Sequence, residues 1–132
     1  MIFVDTGAWF AAFVPNDPDH AAADVWLSQN TATLVTTDYV LDELLTLLKR
    51  RGEFDRALRL GERLLSGSIA RFEWVTPPDV EAAWEVYREF RDKAWSFTDC
   101  TSRVVIERLS ISAAFAFDEH FRQFGNVTVV PA

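Results

Sequence analysis

Five short strand-like runs, Met1–Val4, Thr33–Thr36, Ile69–Val75, Ile111–Phe117 and Asn126–Val130, alternate along this chain with longer stretches of helical spacing. The runs are too short for helices and are bounded by polar or turn-forming residues. Between them, Ala8–Val14 reads as a short helix stopped by Pro15, and His20–Gln29 as another. Tyr39–Arg51 reads as a helix capped by Thr37 or Asp38 and closed by Gly52. Glu53–Leu65 places Phe54, Ala57, Leu58, Gly61, Leu64 and Leu65 on one face. Pro77-Pro78 starts a helix with Val80, Ala83, Trp84 and Tyr87 at helical spacing, and Thr101–Leu109 carries the stripe Val104, Val105, Ile106 and Leu109. Strands alternating with helices predict an α/β fold, a parallel sheet covered by helices on both faces. There is no internal repeat, linker or low-complexity segment, so one domain over residues 1–132 is expected.

Within that frame, two runs end on an aspartate. Asp5 follows Met1–Val4, and Asp118 follows Ile111–Phe117. Ligands of open α/β sheets bind at the carboxyl ends of the strands. Asp99 opens the helix that leads into the Asp118 strand. A fourth acid comes from Tyr39–Arg51, where the helical wheel puts Val40, Leu41, Leu44, Leu45, Leu47 and Leu48 in one arc. Glu43 falls at the edge of that arc and can lean over the rim, whereas Asp42 falls toward solvent. Each acid also has a plain structural use. Asp5 and Asp118 are placed to be N-caps, Ser96-x-x-Asp99 matches a capping box, and Glu43 suits a flanking surface charge. Four acids at one rim favour metal. Hard oxygen donors from several elements suit Mg²⁺ or Mn²⁺, ions that activate water and clamp a phosphodiester.

Charge and composition narrow the partners. With a net charge of −7 and a pI near 4.7, the chain has no general attraction for nucleic acid, although bound cations reverse the sign locally. At 49% hydrophobic and 14% aromatic it is too apolar for disorder. The single cysteine, Cys100, fits a reducing compartment. Neither a charged leader nor a membrane-length apolar run is present, so a cytoplasmic protein without a signal peptide or membrane span is expected. Cys100 reads as a core residue, with neither His20 nor His120 placed beside it by sequence, and His120 as a surface or packing residue. Trp9, Phe10 and Phe13 divide between core and a partner-facing patch. Lys49-Arg50-Arg51 and Arg56, Arg59 and Arg63 form basic faces, either solvated or placed for phosphate.

Four blocks then carry a family resemblance: Val4-Asp5-Thr6-Gly7-Ala8-Trp9; Thr36-Thr37 with Glu43; Ser96-Phe97-Thr98-Asp99-Cys100; and Ala114-Phe115-Ala116-Phe117-Asp118 with Phe121. In this order and spacing the chain resembles the PIN-domain ribonucleases, most closely the VapC-type toxins of toxin–antitoxin pairs. The resemblance implies a three-layer α/β/α domain with a five-stranded parallel sheet, and an acidic quartet of Asp5, Glu43, Asp99 and Asp118. It also implies Mg²⁺ or Mn²⁺ dependence, an RNA substrate, a homodimer and a cognate antitoxin. Ala116 departs from the Thr or Ser that relatives often carry there.

Other acid-bearing α/β families fit poorly. A haloacid-dehalogenase phosphatase needs an acid where Gly7 stands; a receiver domain needs an acidic pair beside Asp5 and a late Lys, and no Lys follows Lys93. The turn after Val4 has one glycine, too few for a dinucleotide-binding loop. The remaining alternative is a PIN-like binding protein without catalytic activity.

Overall fold

A computed structural model describes residues 1–132. Five strands, β1 (Ile2–Val4), β2 (Leu34–Thr37), β3 (Arg71–Glu73), β4 (Ala113–Phe115) and β5 (Thr128–Val130), form one sheet in the order β3-β2-β1-β4-β5. Every neighbouring pair is parallel, with Val4 opposite Phe115 and Phe3 opposite both Val35 and Ala114. Six α-helices connect them: α1 (Thr6–Phe13), α2 (His20–Gln29), α3 (Asp38–Arg50), α4 (Phe54–Leu65), α5 (Pro77–Glu89) and α6 (Phe97–Arg108). None is long and apolar enough to cross a membrane.

The strand order fixes the layers. From β1 the chain steps outward to β2 and β3, then returns past β1 to β4 and β5. Right-handed crossovers therefore put α1 to α4 on one face of the sheet and α5 and α6 on the other. The side chains agree. Val4 and Phe115 share a face, and Trp26 of α2 stacks on Phe115 with ring centroids 4.4 Å apart. Phe3 points to the opposite face and stacks on Phe121 at 6.0 Å. Phe3, Val4, Ala114 and Phe115 are all fully buried, as strands covered on both faces require.

Helix starts follow from capping chemistry. The Thr37 hydroxyl accepts from the Val40 amide at 3.1 Å and opens α3, whose Val40, Leu41, Leu44 and Leu48 are buried. Thr76 and Asp79 close a capping box on α5, with Pro77 in its first turn. Ser96 and Asp99 close another on α6, so that helix starts at Phe97, ahead of the apolar stripe expected from Thr101. Two expected strands are shorter than their apolar runs. Pairing on β3 is confined to Arg71–Glu73 and on β4 to Ala113–Phe115. Asp118 therefore sits three residues beyond β4. Beyond it the chain makes a single 3₁₀ turn, Arg122–Phe124, ended by Gly125 at φ 93°.

Candidate active site

The order of the strands reverses between β1 and β4, and the carboxyl side of such a switch point is where an open sheet leaves a crevice. Asp5 leaves β1 and Asp118 follows β4, on either side of it. A cavity of about 460 Å³ opens there, lined by Asp5, Asp118, Glu43, Asp42, Arg50 and Thr98 among others.

Asp5 is held hard against the sheet. Its amide donates to the Phe115 carbonyl at 3.0 Å, and its own carbonyl starts α1. It occupies the N-cap position of that helix, yet its side chain makes no capping hydrogen bond. The carboxylate is thus buried, 4% exposed, and uncommitted to the helix. Burial holds its pKa well above the ordinary aspartate value, and the carboxylates of Asp118 and Asp99 push it further; the Thr6 amide offsets part. Glu43 reaches the same cavity from α3. Burial raises its pKa, with Asp99, Asp118 and Asp42 adding to the rise. The Thr6 hydroxyl lies near enough to lower it in part, but makes no well-formed hydrogen bond and is otherwise a buried polar atom without a partner.

Asp99 lies one step behind the cavity wall formed by Thr98. Its Oδ2 accepts from the Ser96 amide at 3.0 Å, so the capping box anticipated from sequence is real. Burial raises the Asp99 pKa even though the Ser96 amide and His120 work against it. Asp118 is the solvent-facing member, its side chain 45% exposed, with Oδ1 accepting from the His120 amide at 2.9 Å. The His120 ring folds back so that Nδ1 lies 2.7 Å from Asp99 Oδ2 and 3.9 Å from Asp118 Oδ2.

All four predicted acids thus meet at one rim, acting on one another's charge, with three in the cavity wall and Asp99 behind it. No three His, Cys, Asp or Glu side chains are gathered at chelating distance. The donor chemistry nonetheless fits a hard divalent cation. Several carboxylates on separate elements, two of them strongly desolvated, together with an orphaned hydroxyl at Thr6, form a site short of positive charge.

Other expectations divide. Trp9 and Phe10 are core, 1% and 6% exposed, and Trp9 Nε1 donates to Thr36 Oγ1, so of the three aromatics only the half-buried Phe13 reaches the surface, beside Arg56, Arg59 and Arg63. Arg56 is tied to Glu53 at 2.8 Å and to the Phe13 carbonyl. Arg50 instead lines the acidic cavity without a salt-bridge partner. Cys100 is buried, and desolvation first and Asp99 second push its thiol up to about 11, which makes it a poor nucleophile. Asp42 is exposed, as the helical wheel indicated, yet it still lines the cavity. His120, expected as a surface or packing residue, is partly exposed and also hydrogen-bonds Asp99 through Nδ1. The signal was the Asp118-x-His120 spacing, since an aspartate that accepts from the amide two residues on turns that residue back over itself.

A PIN domain model matches residues 2–127. The chain belongs to the PIN-domain family. It is 36% identical over 131 residues to the 23S rRNA-specific endonuclease VapC20 of Mycobacterium tuberculosis, covering 99% of both chains. It is 26% identical over 136 residues to Ribonuclease VapC26 of the same species, covering 98% of this chain and 100% of that one. The crystal structure of VapC20, described as a Sarcin-Ricin loop cleaving toxin, superposes with a TM-score of 0.90 at 32% identity, over 96% of this chain and 97% of that one. FitAcB from Neisseria gonorrhoeae shares the fold, with a TM-score of 0.71 at 16% identity over 98% of this PIN domain and 96% of that chain. The expected five-stranded parallel PIN fold is the one found.

Proposed function

We propose that this PIN domain is a metal-dependent endoribonuclease, the toxin of a toxin–antitoxin pair, and that Asp5, Glu43, Asp99 and Asp118 hold Mg²⁺ or Mn²⁺ at the switch point of the sheet. The observation that carries this reading is the meeting of four acids from four separate elements at one crevice, three with raised pKa values. Support comes from relatives of the same length whose names describe RNA cleavage.

A divalent ion supplies charge neutralisation and a water of lowered pKa when bound. The chain's own residues set up the rest. Asp5, rigid between β1 and α1, and Asp118, exposed on the loop after β4, would hold the ion together with Glu43 from α3 and Asp99, whose capping role leaves one oxygen free. Arg50, the cation in this acidic wall, is placed to pair with a phosphate oxygen of the RNA, and its forked guanidinium suits that geometry. A bare carboxylate rim would repel a phosphodiester, so loading with cations must precede substrate binding. The same rim offers an antitoxin a handle, because an arginine side chain from a partner matches it in charge and shape. A homodimer in the cytoplasm completes the reading.

The test is cleavage of RNA by the purified protein in Mg²⁺ or Mn²⁺, in EDTA, and with Asp99→Asn. Asn preserves size and capping but replaces an anionic ligand. Metal-dependent cleavage lost in a folded Asp99→Asn protein is the expected result. Cleavage that persists in EDTA, or at the wild-type rate in the variant, refutes it. If the wild-type protein binds RNA and an antitoxin but never cleaves, the binding-protein reading stands instead.

A further inference from the structure

Asp99 and Asp118 belong to different elements, the first turn of α6 and the loop after β4. One side chain joins them. His120 Nδ1 lies 2.7 Å from Asp99 Oδ2, and the His120 amide donates to Asp118 Oδ1 at 2.9 Å. The ring is not a core residue, since 29% of its side chain is exposed. It is not free either, because the turn at Asp118 fixes where the ring lies.

The consequence for Asp99 follows from counting lone pairs. Oδ2 already accepts the Ser96 amide at 3.0 Å, and His120 is its second donor. A carboxylate oxygen offers about two acceptor sites, so Oδ2 is saturated. No protein group donates to Oδ1. Of Asp99's two oxygens, one is bound to the protein twice over and the other is left for a cation. Without His120, Oδ2 would keep a vacant lone pair, and the Asp118 loop would lose its side-chain tie to α6.

We propose that His120 is a positioning residue for the divalent ion. By donating from Nδ1 to Asp99 Oδ2 it commits Oδ1 of Asp99 to the ion, and through its amide it holds Asp118 in register with Asp99. This inference rests on the metal reading of the acidic rim and adds to it the residue that sets the ligands' orientation. Partners of this kind behind a ligand typically govern metal affinity by about 10- to 100-fold.

The experiment is Mn²⁺ binding to the purified full chain, followed by the paramagnetic signal of free Mn²⁺, for wild type, His120→Ala, His120→Asn and His120→Gln. Melting in EDTA is recorded alongside. Asn carries an N–H at the position of Nδ1, whereas Gln carries it one carbon further out, at the position of Nε2. The expected result is a Mn²⁺ affinity about 10- to 100-fold weaker in His120→Ala, largely restored in His120→Asn and not in His120→Gln. Metal-free melting should be nearly the same in all four, because a partly exposed ring contributes little to the core. Wild-type affinity in His120→Ala overturns the proposal, as does equal affinity in the Asn and Gln variants. So does a loss of affinity that only tracks a loss of metal-free stability. Should the Ala variant fail to fold, the Asn and Gln pair decides. A wild-type protein that binds no Mn²⁺ sinks the metal reading itself. Wild-type binding that His120→Ala leaves unchanged sinks only the role of His120.

Discussion

Replacing Asp5 by Asn should stabilise the metal-free protein while destroying its activity. Asp5 is 4% exposed, and burial, Asp118 and Asp99 all raise its pKa. The sign follows from proton counting. A carboxyl whose native pKa lies above its unfolded value binds more protons in the native state, so stability falls as pH rises above the unfolded value. The size is bounded even without the native pKa. The most that Asp5 can cost at pH 7 is the free energy of keeping it protonated. With an unfolded pKa of 3.8 and about 1.36 kcal/mol per pH unit, that ceiling is about 4 kcal/mol. The Thr6 amide recovers part, and a buried Asn amide short of partners costs about 1 kcal/mol. The net gain is therefore positive and bounded at about 3 kcal/mol.

For 132 residues each kcal/mol of that gain corresponds to a melting temperature higher by roughly 4 °C. Loss of a cap does not confound the comparison, because the Asp5 side chain makes no capping hydrogen bond and Asn is an equally good N-cap. Circular dichroism melts in EDTA from pH 4 to pH 8 give the answer. The Asp5→Asn advantage should be largest at pH 7–8 and fall away toward pH 4, where the unfolded carboxyl is itself largely protonated and the cost of keeping the native one protonated is small. Millimolar Mn²⁺ should raise the wild-type melting temperature and leave the variant nearly unmoved. An Asp5→Asn protein that melts below wild type at pH 7 in EDTA would show that the site stores no such strain.

Two further outcomes concern groups outside the chemistry. Asp79 is buried and takes a forked pair of hydrogen bonds from Arg108, at 2.9 and 2.8 Å. Burial alone would raise its pKa, but the bonds from Arg108 and Thr76 outweigh that and hold it below the ordinary value. Arg108→Ala should therefore cost about 2 kcal/mol near pH 7, discounted from the usual cost of breaking a buried pair because the Arg108 side chain is 35% exposed. A lowered native pKa gives stability that is present above the unfolded value and lost as pH falls through the native one. The variant's deficit in urea unfolding should accordingly shrink below about pH 4. Cys100, with its thiol pushed up to about 11 and its side chain buried, should resist iodoacetamide at pH 8 in the native protein and react only on unfolding. Mass spectrometry after timed alkylation checks this.

How much of this was legible beforehand follows from which interactions are local. The alternation of strand-like and helical runs dictated a parallel α/β sheet, because a run of three or four buried residues has no other stable use between helices. The meeting of Asp5, Asp99 and Asp118 was legible because each stands near a strand exit or helix start, where nearby residues set direction, and Glu43, inside α3, was legible from its place at the edge of that helix's apolar arc. Asp118 to His120 is just as local, yet its meaning was hidden. The ring's partner, Asp99, lies 21 residues back and becomes a neighbour only once α6 and β4 have packed. The split of Trp9 and Phe10 from a surface patch was hidden for the same reason. A helix of eight residues that is apolar all round does not declare which side meets α3. Arg50 and Arg56 look alike in sequence. Only the fold separates the one facing the acidic cavity from the one spent on Glu53 and the Phe13 carbonyl.

Asp99 shows why a capping use and the proposed metal-holding use of one residue need not compete. A capping-box carboxylate satisfies the N-cap amide with a single oxygen, and here that oxygen is Oδ2. The second oxygen is not needed by the helix, and the dipole of α6 favours negative charge at this end. The helix therefore holds a carboxylate at a fixed angle beside the sheet's switch point while using half of it. The same geometry explains why Asn is a severe substitution there. Its carbonyl oxygen would take the two donors that Oδ2 now accepts, from Ser96 and His120, and its amide group would stand where Oδ1 was. An N–H donor would then stand behind the cavity wall where an anionic acceptor was. The cap would survive, and the oxygen offered to a cation would not.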